Sequence, residues 1–197
     1  MVKEHLDSVI LGDCVDVMKT FPEHSIDTII TDPPYGLKFM GKKWDYDVPT
    51  VETFKEMLRV AKPGAMLLCF AGSRTFHRMT VNIEDAGWEI RDCIMWLYGS
   101  GFPKSMDISK AIDKRLGATR KVVGTMKTNT KMQGNNYGGD KEDVGNGVVE
   151  LTEPASDKAK HWNGWGTALK PAYEPIILAM KPVDRSFVDN ALKHGVS

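Results

Sequence analysis

No stretch of this chain is long and apolar enough to cross a bilayer as a helix. The longest apolar run, around Ala65 to Ala71, falls far short of the roughly 20 residues such a span needs. Net charge is absent as well. Lys+Arg and Asp+Glu both number 26 in 197 residues, so overall charge favours no polyionic partner. Cysteine is scarce. Cys14, Cys69 and Cys93 are odd in number, widely spaced and set mostly in apolar runs, which speaks against a disulfide frame or a metal site. They read as reduced core thiols of a cytoplasmic protein, and no signal peptide precedes His5. There is no internal repeat.

What is present suits a soluble globular α/β domain, with 42% hydrophobic and 26% charged residues. Ser8 to Leu11 reads as a short strand ending at Gly12-Asp13, followed by a brief helix carrying Val15, Val17, Met18 and Phe21. Ile26 to Thr31 is a second strand, β-branched and apolar. Val51, Phe54, Met57, Leu58 and Ala61 recur at helical spacing, and Lys62-Pro63-Gly64 should end that helix. Ala65 to Ala71 is apolar on both faces, as a central parallel strand is. Ser73 is placed to cap a helix closed by Gly87, and Glu89 to Tyr98 makes a fourth strand. This alternation predicts a parallel sheet with helices on its faces.

Beyond Tyr98 the texture changes. A helix fits Ser105 to Leu116, and the Gly/Asn-rich stretch from Gly134 to Gly147 reads as a mobile insertion. Pro175 to Met180 is a fifth strand, and a final helix from about Arg185 to Lys193 ends at Gly195. Between Lys104 and Lys131, eight basic residues including Lys121 and Arg120 face only Asp107 and Asp113. A solvated helix face and a phosphate-binding strip both fit that pattern.

The chemistry-bearing stretch is "TDPPYG", Thr31 to Gly36, directly after the second strand. Asp-Pro-Pro is ordinary turn chemistry, and that alone could explain it. It also does more. Neither Pro33 nor Pro34 offers an N–H, and Pro34 restricts the backbone before it, so the Pro33 carbonyl has a fixed direction. The Asp32 carboxylate lies beside it as a second acceptor, and Tyr35 presents a ring on which a planar heterocycle can stack. Two acceptors side by side suit an NH₂ group, which donates one hydrogen to each. Holding both hydrogens draws the nitrogen toward a tetrahedral shape and frees its lone pair for attack on an activated methyl group.

Asp32-Pro33-Pro34-Tyr35 after a buried strand resembles the catalytic motif of amino-group DNA methyltransferases, which methylate adenine N6 or cytosine N4 using S-adenosylmethionine. "SVILGDCVDVMKTFPEHSIDTIITDPPYG" is similar to the opening of the permuted class, in which the catalytic half precedes the cofactor half. "GFPKSMDISKAID", "TEPASDKAKHWNGWGTALKPAYEPI" and "GTALKPAYEPIILAMKP" resemble segments of phage and prophage adenine-specific members.

The resemblance implies a partial Rossmann-like methyltransferase sheet. Residues 1–98 would form a catalytic α/β half, 99–166 an inserted target-recognition region, and 167–197 the last strand and helix. It implies Asp32, Pro33, Pro34 and Tyr35 as catalytic residues, and Asp13, Cys14 and Asp32 as the cofactor side. Lys38, Lys42, Lys43, Trp44, Lys104 and Lys121 would face DNA, although for Trp44 a core anchor is the stronger expectation from its residue type. Lys170 and Glu174 also match family positions, with no role beyond folding the last strand. Base flipping, a double-stranded DNA partner and a restriction-modification setting follow from the same likeness.

The family's glycine-rich cofactor turn, Asp-Pro-Phe-x-Gly-Ser-Gly-Thr, is missing from the sequence. Gly99-Ser100-Gly101 imitates it but lacks the Asp-Pro-Phe, and the resemblance assigns that strand elsewhere. The expectation is therefore a methyltransferase part completed by further sequence or by a second polypeptide, or else a DNA-binding remnant that no longer catalyses.

Overall fold

The computed structural model describes residues 5–38, 41–99, 105–127, 148–169 and 172–196. They form two units, Met1–Tyr98 with Tyr173–Ser197, and Gly99–Ala172.

The first unit is a mixed α/β layer. Helix α1 (Cys14–Lys19) leads to strand β1 (Ile26–Thr31), then α2 (Val51–Val60), β2 (Ala61–Phe70), α3 (Phe76–Asp85) and β3 (Glu89–Leu97). After the second unit the chain returns through β6 (Tyr173–Met180) and α6 (Phe187–His194). The sheet order is β1-β2-β6-β3.

Strands β1, β2 and β3 run in one direction, and β6, inserted between β2 and β3, lies antiparallel to both, so β1–β2 is the one parallel neighbouring pair of this sheet. The wholly parallel sheet expected from the β-α-β rhythm is therefore corrected. The chain leaves for the second unit after β3, and β6 enters the sheet from the opposite end, between β2 and β3.

Strand β2 starts at Ala61, immediately after α2, rather than after the Lys62-Pro63-Gly64 stop. Its register against β1 slips between Ile26 and Thr28, which absorbs the proline and Gly64 in an irregularity. The main hydrophobic cluster lies on one face of the sheet. Leu67 and Cys69 of β2 and Ile177 and Ala179 of β6 pack with Phe54 and Met57 of α2 and Met79 and Ile83 of α3. Trp88 joins them and donates its indole N–H to the Phe54 carbonyl at 3.0 Å. Burying such side chains contributes roughly 1.5–3 kcal/mol each.

Ser8 to Leu11 forms no strand. Val9 and Leu11 are fully exposed, and no described strand lies against the outer edge of β1. An isolated extended segment has no ladder to join, so its apolar alternation does not become a strand. Two of the three thiols also depart from expectation, since only Cys69 is buried while Cys14 and Cys93 are exposed.

The second unit holds α4 (Ile108–Leu116), a hairpin of β4 (Lys121–Lys127) and β5 (Val148–Glu153), and the short helix α5 (Asp157–His161). Its centre is a buried ion pair. Asp113 is fully buried and accepts from Arg120 Nη1 at 2.8 Å, from the Ala155 and Ser156 amides at 2.9 and 3.0 Å, and from Ser156 Oγ at 2.7 Å. Burial pushes that carboxyl up, but the Ala155 and Ser156 hydrogen bonds and the Arg120 charge outweigh it and bring it down to about 2. Arg120 thus holds the unit together and leaves the candidate phosphate strip. Lys110 and Lys121 stay exposed, while Lys104, Lys131 and the Gly/Asn-rich stretch lie outside the described residues.

Candidate active site

Where β1 ends, Asp32 to Tyr35 turns away from the sheet, and three neighbouring features fix the turn. Thr75 Oγ1 donates to the Tyr35 carbonyl at 2.6 Å. Gly72, just past β2, lies under the Tyr35 ring, where an added Cβ would come within 3.3 Å of Tyr35 Cδ2. Gly36 has φ +68° and donates its N–H to Asp45 Oδ1 at 3.0 Å. A side chain at Gly36 would be strained and would meet the Asp47 and Val48 backbone at 3.1 Å. Ser73, expected to cap α3, does not; the helix starts after Thr75, whose hydroxyl is spent on Tyr35.

Asp32 is exposed and Tyr35 half-buried, and the Tyr35 hydroxyl donates to Asp32 Oδ1 at 2.6 Å. Burial, and after it the hydrogen bond to Asp32, pushes the phenol far above its usual range. The donor therefore keeps its proton at any pH the protein meets. Among the described residues no hydrogen bond reaches the Pro33 carbonyl, which leaves that acceptor available. Cys69 lies nearby in the core, and burial raises its thiol to about 12, so it is no nucleophile.

A hollow of about 380 Å³ opens beside the turn, lined by Asp32, Pro33, Pro34, Tyr35, Leu37, Trp44, Asp45 and Glu174. Trp44 is 62% exposed on the rim of this hollow, which corrects the expectation of a core anchor. A single 3-10 turn, Lys43–Asp45, presents its ring outward while the adjacent Asp45 is the residue that goes inside. Lys38, Lys42 and Lys43 are exposed in the same loop, with Lys38 Nζ 5.8 Å from the Tyr46 ring centre.

Glu174, expected only to fold the last strand, reaches the hollow because β6 is antiparallel. Its first residues, not its last, lie beside the carboxyl ends of β1 and β2. Asp13 does not end a strand. It caps α1, accepting the Val15 and Asp16 amides on Oδ1 at 2.9 and 3.2 Å, with Cys14 exposed as the first helical residue. Helix α1 is tied to the rest of the unit by Arg59 of α2, which donates to the Met18 and Phe21 carbonyls.

Chemically, the site offers two acceptors of different stiffness, a ring fixed by a hydroxyl and a glycine, and an open approach. The Asp32 and Glu174 carboxylates suit a cationic co-substrate, and Asp13 keeps its Oδ2 clear of the helix cap. No group of His, Cys, Asp and Glu suited to a metal occurs among the described residues. Nor is any described helix long and apolar enough to cross a membrane.

The family described as DNA methylase matches residues 26–197. Among individual proteins, YubD of Escherichia coli (strain K12), a methylase by name, is 36% identical over 89 residues, which are 41% of this chain and 38% of YubD. The type II methyltransferase M.HinfI of Haemophilus influenzae is 24% identical over 116 residues, 48% of this chain and 32% of its own. The chain thus spans well under half of these relatives. The DNA modification methylase TTHA0409 of Thermus thermophilus, solved with S-adenosyl-L-methionine, aligns with a TM-score of 0.43 and 15% identity over 93% of this chain and 57% of its own.

Proposed function

The chain belongs to the DNA methylase family of amino-group enzymes, and on that premise we propose that it methylates the exocyclic amino group of a flipped base in double-stranded DNA, adenine N6 first. The observation that carries this reading is the paired acceptor at the end of β1. The Asp32 carboxylate, oriented by Tyr35, stands next to a Pro33 carbonyl that no described donor uses.

When bound, S-adenosylmethionine would supply an electrophilic methyl group on a sulfonium centre; Asp32 and Glu174, which line the hollow, would hold it together with Asp13 and Cys14 at the start of α1. Asp32 and the Pro33 carbonyl each accept one amino hydrogen of the base, which fixes the nitrogen and turns its lone pair into the hollow. Tyr35 supports the base from one side by stacking. The surplus proton leaves through Asp32 to solvent, and no covalent enzyme intermediate is required. Lys38, Lys42 and Lys43 follow the backbone phosphates of the extruded strand, with Lys121 of the second unit as a further contact. An aspartate at the head of the motif, where cytosine-directed members more often carry serine, supports adenine as the target.

The test is methyl transfer from tritiated S-adenosylmethionine to duplex DNA, with the modified nucleoside identified by mass spectrometry. The chain should yield N6-methyldeoxyadenosine, and Asp32→Ala should abolish it while keeping the fold, since Asp32 is exposed, with duplex affinity lowered by no more than the amino-group contact itself. Undiminished methylation in that variant would remove Asp32 from the chemistry. DNA binding without any calorimetric heat on adding S-adenosylmethionine would favour the non-catalytic reading instead.

A further inference from the structure

Trp44 is a large apolar side chain that the core does not use. It is 62% exposed, while Trp88 fills the aromatic place in the packed cluster. Exposure alone does not mark it out, since Trp96 and Trp165 are 60 and 62% exposed; what does is that Trp44 lines the hollow beside Tyr35. Its position is well determined. The next residue, Asp45, is 3% exposed; its Oδ1 accepts the Gly36 N–H at 3.0 Å and its carbonyl accepts the Lys38 N–H at 2.8 Å. Both bonds run to the residues just after Tyr35. The crossing is so close that Gly36 has no room for a side chain against Asp47 and Val48. Tyr35 and Trp44 are therefore held by one clasp, and both line the same hollow.

We infer that Trp44 is the second stacking wall of the base pocket, and that Asp45 is the positioning residue that sets its distance from Tyr35. The captured ligand is a planar nucleobase sandwiched between the two rings. This rests on the reading of Asp32 to Tyr35 as a base-capture site, and it adds a residue on the opposite side. A slot with two faces grips any base by its π surface and leaves selection to the acceptors at its floor.

The probe is a short single-stranded thymidine oligonucleotide carrying one 2-aminopurine, whose emission falls when the ring stacks. Binding to the chain should quench it. Trp44→Ala should weaken binding at least fivefold and relieve much of the quench, with Trp44→Phe restoring most of both, on the scale of a lost base–aromatic stack. Asp45→Asn should show a smaller loss of the same kind. Trp44 is exposed, so its variants keep the fold, which circular dichroism verifies.

If Trp44→Ala stays within twofold of the parent in both readouts while Tyr35→Ala loses them, the second wall is refuted and the capture site stands. If neither variant changes binding, or the parent gives no quench, the capture site fails and the second wall with it.

Discussion

The proposed site gives the Tyr35 side chain two tasks. Its ring offers a face to a base, and its hydroxyl holds the Asp32 carboxylate at 2.6 Å. From residue types alone the hydroxyl has no evident use, because stacking needs only the face. The hydroxyl's bond to Asp32 gives it one, and Tyr35→Phe tests the two tasks apart. Base affinity should change less than twofold, while methyl transfer falls about tenfold, near the worth of a hydrogen bond to a charged group at a partly exposed site. Because burial holds the phenol protonated, the parent should show no loss of transfer from tyrosine ionisation up to about pH 10, the usual phenol range. A Tyr35→Phe enzyme as fast as the parent would return the hydroxyl to a packing role.

At the scale of elements, local signals and long-range pairing part company. The helix over Val51–Val60 and the strand over Ile26–Thr31 follow directly from apolar spacing and β-branching, and both form with nearly the expected bounds. The direction of β6 does not follow, because strand polarity is set by where the chain re-enters the sheet, not by the residues of the strand. That is why Glu174 is legible as a strand residue but not as part of the hollow. The β4–β5 hairpin is hidden for a related reason: its strands are mostly exposed and separated by a Gly/Asn-rich stretch, so neither shows a buried period. Arg120 reads as one more cation in a basic run, since nothing local says that Thr152 and the buried Asp113 meet it across three elements.

This network predicts acid sensitivity in the second unit. The folded Asp113 carboxyl sits at about 2, below its ordinary 3.8, so its stabilisation is complete above about pH 4 and is lost as pH falls toward 2. Denaturation midpoints followed by amide NMR at residues 105–127 and 148–169 should drop over that window, and Asp113→Asn should flatten the drop. An unchanged pH slope in the variant would contradict the assignment.

For the molecule as a whole, the site sits where two parallel strands end and an antiparallel one begins. The packed face of the sheet fixes that point; the opposite face leaves Ile30, Ile94 and Trp96 exposed at 69, 41 and 60%. Family membership rests on residues 26–197, while the resemblance of the first 25 residues to a strand ending in an acid is only half realised. The helix is there and Asp13 begins it, but the strand before it is not.

The proposed chemistry requires Asp32 and the Pro33 carbonyl to grasp an exocyclic amino group. The most direct measurement compares binding of oligonucleotides that carry one unpaired adenine with those carrying purine, which lacks only that amino group. The parent should bind adenine about tenfold more tightly, the worth of hydrogen bonds to a charged acceptor, and Asp32→Ala should lose the preference. Equal affinity of the parent for the two bases would contradict that chemistry.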